Sequence, residues 1–339
     1  MSLHIPNRVF VVAQREVTYG VDSAPAGGGL IEVYDLKSSP SLETISRTTN
    51  KANMSAEKSL VGKRSGQVTF KTPLWGPSGA VATVGSIPRW TRFIKACSMV
   101  ETFVANASDT LACSSLTPPQ TNGPDSMSIW ILDSPQSTNI GTVSKLQGCV
   151  GSAKIVLTNG QFPYIEFTFQ GRWNTPTAYA GQVYTGSEET TQEQAWLGTT
   201  LTLIKDVGGT NTDVSSSMGP VQSVEIDLGL SVQMREDCQQ ASGVLGFLIT
   251  ARAAKITFTP ERLTPSAAIN WWSLMTAGTP LSLKALFGAG ATWQHYVKAN
   301  TFVITGISGE ERNGVSVDKI EGSLYGNDNE MTIFLDCAA

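Results

Sequence analysis

The chain holds only two histidines, His4 and His295, far apart and in unrelated contexts. Activating a serine or cysteine nucleophile needs a base within hydrogen-bond reach. No Ser-His-Asp or Cys-His arrangement is readable around either imidazole. The five cysteines (Cys97, Cys113, Cys149, Cys238, Cys337) are scattered, odd in number and without C-x-x-C spacing. They read as reduced thiols of a protein made in a cytosol. No H-E-x-x-H, EF-hand loop or Cys/His metal spacing occurs. Gly27, Gly28 and Gly29 are followed by neither Gly-Lys-Ser/Thr nor a helix, so they do not make a phosphate loop. Glu166 and Glu321 stand in similar strands and invite a reading as paired acids. Their outward positions make them solvent-facing or interface carboxylates instead. Asp227 and Asp237, near Glu225 and Glu236, hint at Ca²⁺, but strand alternation spreads the group over both faces. Trp271 and Trp272 offer a sugar-stacking platform, although one of them continues a helical core stripe. The basic set Arg47, Lys51, Lys58, Lys63 and Arg64 has no interleaved aromatic to stack on bases. The chain is therefore expected to have no catalytic, cofactor or metal site.

The elements that position these residues are strands. Residues 164–171 read YIEFTFQG, with Ile165, Phe167 and Phe169 alternating against Glu166, Thr168 and Gln170. Asn159-Gly160 precedes them, the dipeptide of a tight hairpin turn. Residues 319–326, KIEGSLYG, repeat the pattern behind Asn313-Gly314, and matching Ile165 to Ile320 pairs Glu166 with Glu321. Further matches run in the same order: 31–36 with 224–228, 67–71 with 255–259, and 127–132 with 281–287. An embedded helix recurs between the last two. In one copy Ser86 and Pro88 open it and Trp90, Phe93, Ile94 and Cys97 form its stripe. In the other, Thr264-Pro265 open it, Ala268, Trp271, Trp272 and Met275 form the stripe, and Gly278 ends it.

The expected fold is thus mainly β: two tandem β-sandwich or barrel units, each with one packed α-helix. At 339 residues the chain accommodates two domains. We place an arm at 1–29, the first unit at 30–173, a linker region with a short strand at 174–220, and the second unit at 221–339. Residues 38–65 read as a long polar loop that orders against a partner subunit. The run 331–335 has no counterpart in the first copy. The net charge of −4 argues against general affinity for nucleic acid or anionic membrane. No run approaches the roughly 20 apolar residues of a membrane helix. The N-terminal sequence lacks the pattern of a signal peptide.

The pattern Glu16-x-x-Tyr19-Gly20-x-Asp22-x-x-Pro25 resembles the opening of the major tail tube proteins of long, non-contractile-tailed bacteriophages. Residues 88–102, PRWTRFIKACSMVET, are similar to that family's P-x-W-x-x-L-L-x-A-C-G-x-x-E-T helix. Ser98 stands in place of the usual Gly, and Phe93-Ile94 in place of the leucines. The strand ending Phe167-Thr168-Phe169-Gln170-Gly171 resembles the family's closing F-x-F-x-G.

The resemblance implies a structural virion protein rather than an enzyme. Its subunits join sheets around rings, and the rings stack into the tube that conducts the genome. It implies assembly in the host cytoplasm and partnership with tape measure, tail-tip and terminator proteins. A duplicated chain would build from three copies, as a trimer with pseudo-sixfold symmetry, the ring that single-copy members build as a hexamer. Residues 38–65, with Arg47, Lys51, Lys58, Lys63 and Arg64, correspond in position to the loop that reaches the adjacent ring. DNA would pass without specific binding, past a lumen expected to be net acidic with Glu166 and Glu321 on it. Two other classes are open: a tail-tip, baseplate or other carbohydrate-binding two-domain β module, and a glycan-degrading β enzyme with opposed carboxylates.

Overall fold

The computed structural model describes residues 4–24, 30–31, 33–47, 50, 55, 57–74, 88–104, 108–115, 125–135, 140–180, 195–266, 268–287 and 295–336. The fold is mainly β, with antiparallel pairing throughout. In the first unit β1 (His4–Arg15) pairs β7 (Met127–Pro135), and β7 pairs β8 (Ile140–Thr158). Strand β8 pairs β9 (Tyr164–Ala180), β9 pairs β4 (Leu60–Pro73), and β4 pairs β3 (Tyr34–Ile45). The second unit repeats this path. Strand β10 (Thr200–Val207) pairs β16 (Leu281–Phe287), and β16 pairs β17 (His295–Arg312). Strand β17 pairs β18 (Val315–Leu324), β18 pairs β15 (Lys255–Pro260), and β15 pairs β12 (Val221–Asp227).

Alternation builds both hairpins, but their turns differ: Asn159-Gly160 makes a β-turn, Gln161 N donating to the Thr158 carbonyl, within a five-residue connection from Thr158 to Tyr164 rather than the tight two-residue turn expected. Ile165, Phe167 and Phe169 are fully buried. Asn313 and Gly314 both take positive φ, 49° and 80°, as a two-residue turn between Arg312 and Val315 requires. Helix α1 (Thr91–Lys95) lies on the buried face of the first sheet, with Trp90, Phe93, Ile94 and Cys97 at most 1% exposed. The Phe93 ring meets Phe70 at 4.8 Å and Phe167 at 5.4 Å. Helix α2 (Trp271–Thr276) repeats the contact, with Trp271 set 5.7 Å from Phe258.

The second helical stripe differs from expectation. Trp271 and Leu274 are buried, while Trp272 is 58% exposed. The helix starts at the Asn270 cap rather than at Thr264-Pro265, and at six residues it presents a face too narrow to include Trp272. Gly278 does end it: its N–H donates to the Met275 carbonyl, and that of Thr279 to the Leu274 carbonyl.

Cross-strand register refines the internal match. Phe167 stands opposite Phe70, and Ile320 stands opposite Phe258. The structural counterpart of Phe167 is therefore Ile320. Glu166 corresponds to Lys319, and Glu321 to Thr168, two residues from the match of like letters. Likewise Ser38 opposes Val68 as Ile226 opposes Ile256, so Ser38 and Ile226 are equivalent.

Four further segments differ from the sequence reading. Strand β1 is integral to the first sheet, also pairing β2 (Leu30–Ile31), rather than part of an irregular arm. Strand β10, inside the region read as a linker, belongs to the second sheet and forms a hairpin with β11 (Thr210–Asp213). Residues 38–45 and 60–65 form a ladder, because β3 and β4 stay paired out to Ile45 opposite Leu60, and only the stretch between them is left to the loop expected over 38–65. Their outer residues bury neither face, so no apolar period marks them as strands. The final strand β19 (Met331–Asp336) pairs β17, and so takes the place that the second half of β9 holds beside β8.

The units are joined along an edge. The second half of β8 pairs β12 over Thr158–Ser223 to Lys154–Asp227. One layer therefore runs β3-β4-β9-β8-β12-β15-β18-β17, and a single core crosses the joint through Ile155, Leu157, Val224 and Ile226. The hairpin of β5 (Met99–Val104) and β6 (Ser108–Cys113) reaches from the first unit to the second, where β6 pairs β19. The hairpin of β13 (Leu230–Glu236) and β14 (Val244–Arg252) reaches back, packing Val244 and Phe247 on Val150 of β8.

Candidate assembly surface

The Glu16-Tyr19-Gly20-Asp22 motif braces the first unit. The Glu16 carboxylate is fully buried and accepts four hydrogen bonds: from Gly20 N (2.7 Å), Ser126 Oγ (2.8 Å), Ser128 Oγ (2.9 Å) and Gly148 N (2.7 Å). Asp22 accepts from Trp130 Nε1 and Lys145 Nζ, both at 2.9 Å. The Tyr19 hydroxyl donates to the Phe247 carbonyl at 2.6 Å and accepts from Phe247 N at 2.5 Å, which ties the β13–β14 hairpin to the first unit. Burial raises the Tyr19 pKa above its ordinary value. These residues touch one another and the backbone, so their role here is architectural.

The layer that joins the units ends in two edges without a partner strand among the described residues. One is β3, which pairs β4 alone. The other is the second half of β17, Gly306–Arg312, which pairs β18 alone. They are the counterparts of β12 and β8, the two edges that meet inside the chain. A groove of about 810 Å³ opens beside β3, lined in part by Val9, Val33, Leu36, Ile131 and Pro176. Farther along the β3–β4 hairpin, Leu42, Ile45, Leu60 and Val61 are 45, 47, 45 and 64% exposed. Ile45 and Leu60 stand opposite each other on one face and Val61 points to the other, so water-facing apolar side chains flank the hairpin on both sides.

The solvent face of the layer carries Glu166 and Glu321, but it is not net acidic. Lys71, Glu166, Lys154, Asp227 and Lys255 lie in one row across five strands, each opposite the next. Lys154 Nζ meets Glu225 at 2.7 Å, and that hydrogen bond, with Asp227 and Glu166 nearby, raises the lysine's pKa. Lys319 meets Glu321 at 3.2 Å. Opposite charges on neighbouring strands stabilise the sheet, and they cancel the acidity expected from the carboxylates alone. Glu166 and Glu321 lie four strand spacings apart, roughly 19 Å, beyond the 5–9.5 Å of paired glycosidase acids. Glu225 and Asp227 share one face of β12 and are met there by Lys154 of β8, while Glu236 is taken up by Lys63. No group of three or more His, Cys, Asp or Glu among the described residues has the geometry to hold a metal.

Of the basic set, Arg47 and Lys58 are exposed near the hairpin tip, and Lys51 lies outside the described residues. Lys63 and Arg64 are engaged within the chain. Lys63 Nζ meets Glu236 at 2.8 Å, which raises its pKa, and Arg64 Nη2 donates to the Ala241 carbonyl at 2.8 Å. His295 is buried in β17, and only the backbone of His4 is described. Trp272 rims a cleft of about 280 Å³ lined in part by Arg262, Leu263, Asn270 and Asp318. The two open edges were missed in the sequence. Their only local signal is the repeat itself, since a duplicated unit that pairs once must expose the same edges at its ends. No protein-family model matches the chain, and a search of curated proteins finds no match.

Proposed function

We propose that the chain is a structural virion subunit that joins head to tail into rings, which stack into the hollow tail tube of a long, non-contractile-tailed phage. The observation that carries this reading is the β8–β12 joint. Two equivalent units meet edge to edge inside one chain, and the same two kinds of edge stand open at its ends. A contact between unlike edges is heterologous, so it propagates from copy to copy and gives a ring where the rotation per copy closes. Closure also removes the unpaired strand edges that otherwise invite uncontrolled pairing. Three copies would supply six unit positions; a hexamer of chains is the alternative. The apolar hairpin Leu42–Ile45–Leu60–Val61 supplies a further surface for the next ring or the adjacent copy. The alternating charges of the sheet face suit a bore past which DNA slides, because each phosphate neutralised by a basic cluster would add affinity. Tape measure, tail-tip and terminator proteins are the partners this role implies, and the virion is its location.

Negative-stain microscopy of the purified protein across a concentration series, with light scattering, tests the reading. Stacked rings with sixfold-looking end views are expected. A monomer that persists at high concentration would refute it. One observation favours a second reading, a carbohydrate-binding module: Trp272 lies exposed beside the Asp318–Arg262 cleft. That reading predicts glycan binding lost in Trp272→Ala.

A further inference from the structure

The joint inside the chain serves as a template for a joint between chains, residue by residue. It deepens the assembly reading above and rests on it. Ser38 is equivalent to Ile226, so Lys37 stands where Glu225 does and Ser39 where Asp227 does. Ala153 opposes Phe167 as Ile307 opposes Ile320, so Ser308 stands where Lys154 does and Glu310 where Val156 does. Inside the chain Asp227 pairs Lys154 and Glu225 pairs Val156.

We infer that β3 of one copy pairs antiparallel with the second half of β17 of the next, Ser39 opposite Ser308 and Lys37 opposite Glu310. The Lys37–Glu310 contact brings opposite charges together on the solvent face. Beyond it β3 is bulged between Tyr34 and Lys37, where Asp35 takes a positive φ and meets Lys71 at 2.8 Å within its own chain. In the template Leu228, the counterpart of Pro40, donates its N–H to the Ala153 carbonyl at 3.0 Å. Pro40 has no N–H to give the Ile307 carbonyl, so the joint between copies ends one hydrogen bond earlier than the joint within the chain.

The core side of the two joints differs in kind. Within the chain it is apolar: Ile226 beside Ile155 and Val224 beside Leu157, all buried. Between chains the same places hold Ser38 with Gly309, and Leu36 with Glu311. The permanent joint is sealed by hydrophobic burial. The joint between copies relies on backbone hydrogen bonds and charge, which lets the subunit stay soluble until it meets its own kind. The β5–β6 clasp across the internal joint has no counterpart after α2, where the chain passes from Thr276 to β16 by Leu281. Assembly should accordingly weaken with salt.

The test is a cysteine pair, Ser39→Cys with Ser308→Cys, in a chain carrying Cys238→Ser and Cys337→Ser. The two positions end an eight-strand layer on the order of 30 Å wide, far beyond the reach of a disulfide within one chain. Mild oxidation at assembling concentration should give a ladder of covalent oligomers on non-reducing gels, while each single-cysteine chain stops at dimers. Lys37→Glu should raise the concentration needed for assembly by about tenfold or more, and adding Glu310→Lys should restore it. Rings that form without cross-linking at these sites, or that ignore both charge reversals, would overturn the joint and leave the assembly reading intact. Absence of self-association in the unmodified chain would overturn both.

Discussion

Asp109 should make the joint between the two units pH-dependent. Its side chain is fully buried in β6, between Phe103 of β5 and Leu335 of β19, and neither carboxylate oxygen has a hydrogen-bond partner. Burial, helped by Glu101 and opposed by Lys95, raises its pKa from 3.8 to about 7. The folded state then holds a proton that the unfolded chain releases between these values. Stability from this group is therefore full below about pH 4, declines as pH rises, and is lost above about pH 7. A shift of about three units corresponds to roughly 4 kcal/mol. Asp109→Asn keeps the shape and removes the charge, at the cost of a buried amide of about 1–3 kcal/mol. Urea unfolding from pH 4.5 to 8.5, at concentrations below self-association, should show wild-type stability falling toward pH 7. The variant should fall less steeply and be the more stable protein at pH 8. The difference between the two curves isolates Asp109 from Asp125, whose pKa burial also raises. Parallel curves would refute the argument, because they would mean that the carboxylate is hydrated or paired.

Glu16→Ala should lower stability by about 3 kcal/mol or more, since it strands four buried donors; the urea midpoint reports it. Gly151→Ala should also destabilise strongly, because the added Cβ would fall 2.2 Å from the Thr168 carbonyl oxygen and 2.6 Å from the Phe169 ring. Thermal unfolding should show it, and an unchanged midpoint would mean that the β8–β9 ladder can open locally to admit a methyl group. Leu60→Asp with Val61→Asp should leave folding within about 0.5 kcal/mol, as exposed positions allow, yet block assembly in light scattering. Phe93→Ala should cost about 3–5 kcal/mol by emptying the space over Phe70 and Phe167.

Much of the fold was legible because local chemistry reports it. Ile165, Phe167 and Phe169 recur every second residue, so their burial on one face of a strand follows from the pleat. Trp90, Phe93, Ile94 and Cys97 recur at helical spacing and form one buried stripe. The two Asn-Gly pairs mark turns, and the ordered repeats announce two similar units. Periodicity tells which face of an element is buried but not which strand lies beside it. Tertiary structure decided that β8 continues into β12, that β6 crosses to β19, and that Glu321 is the counterpart of Thr168 rather than Glu166. It also showed residues 38–45 and 60–65 to be the two strands of a paired hairpin, because strands that satisfy each other's backbone and bury neither face leave no apolar period to read. The candidate site is of this second kind. An open edge is an absence of pairing, set by contacts hundreds of residues apart, and Lys37 and Glu310 become partners only once the sheet order places their strands at its two ends.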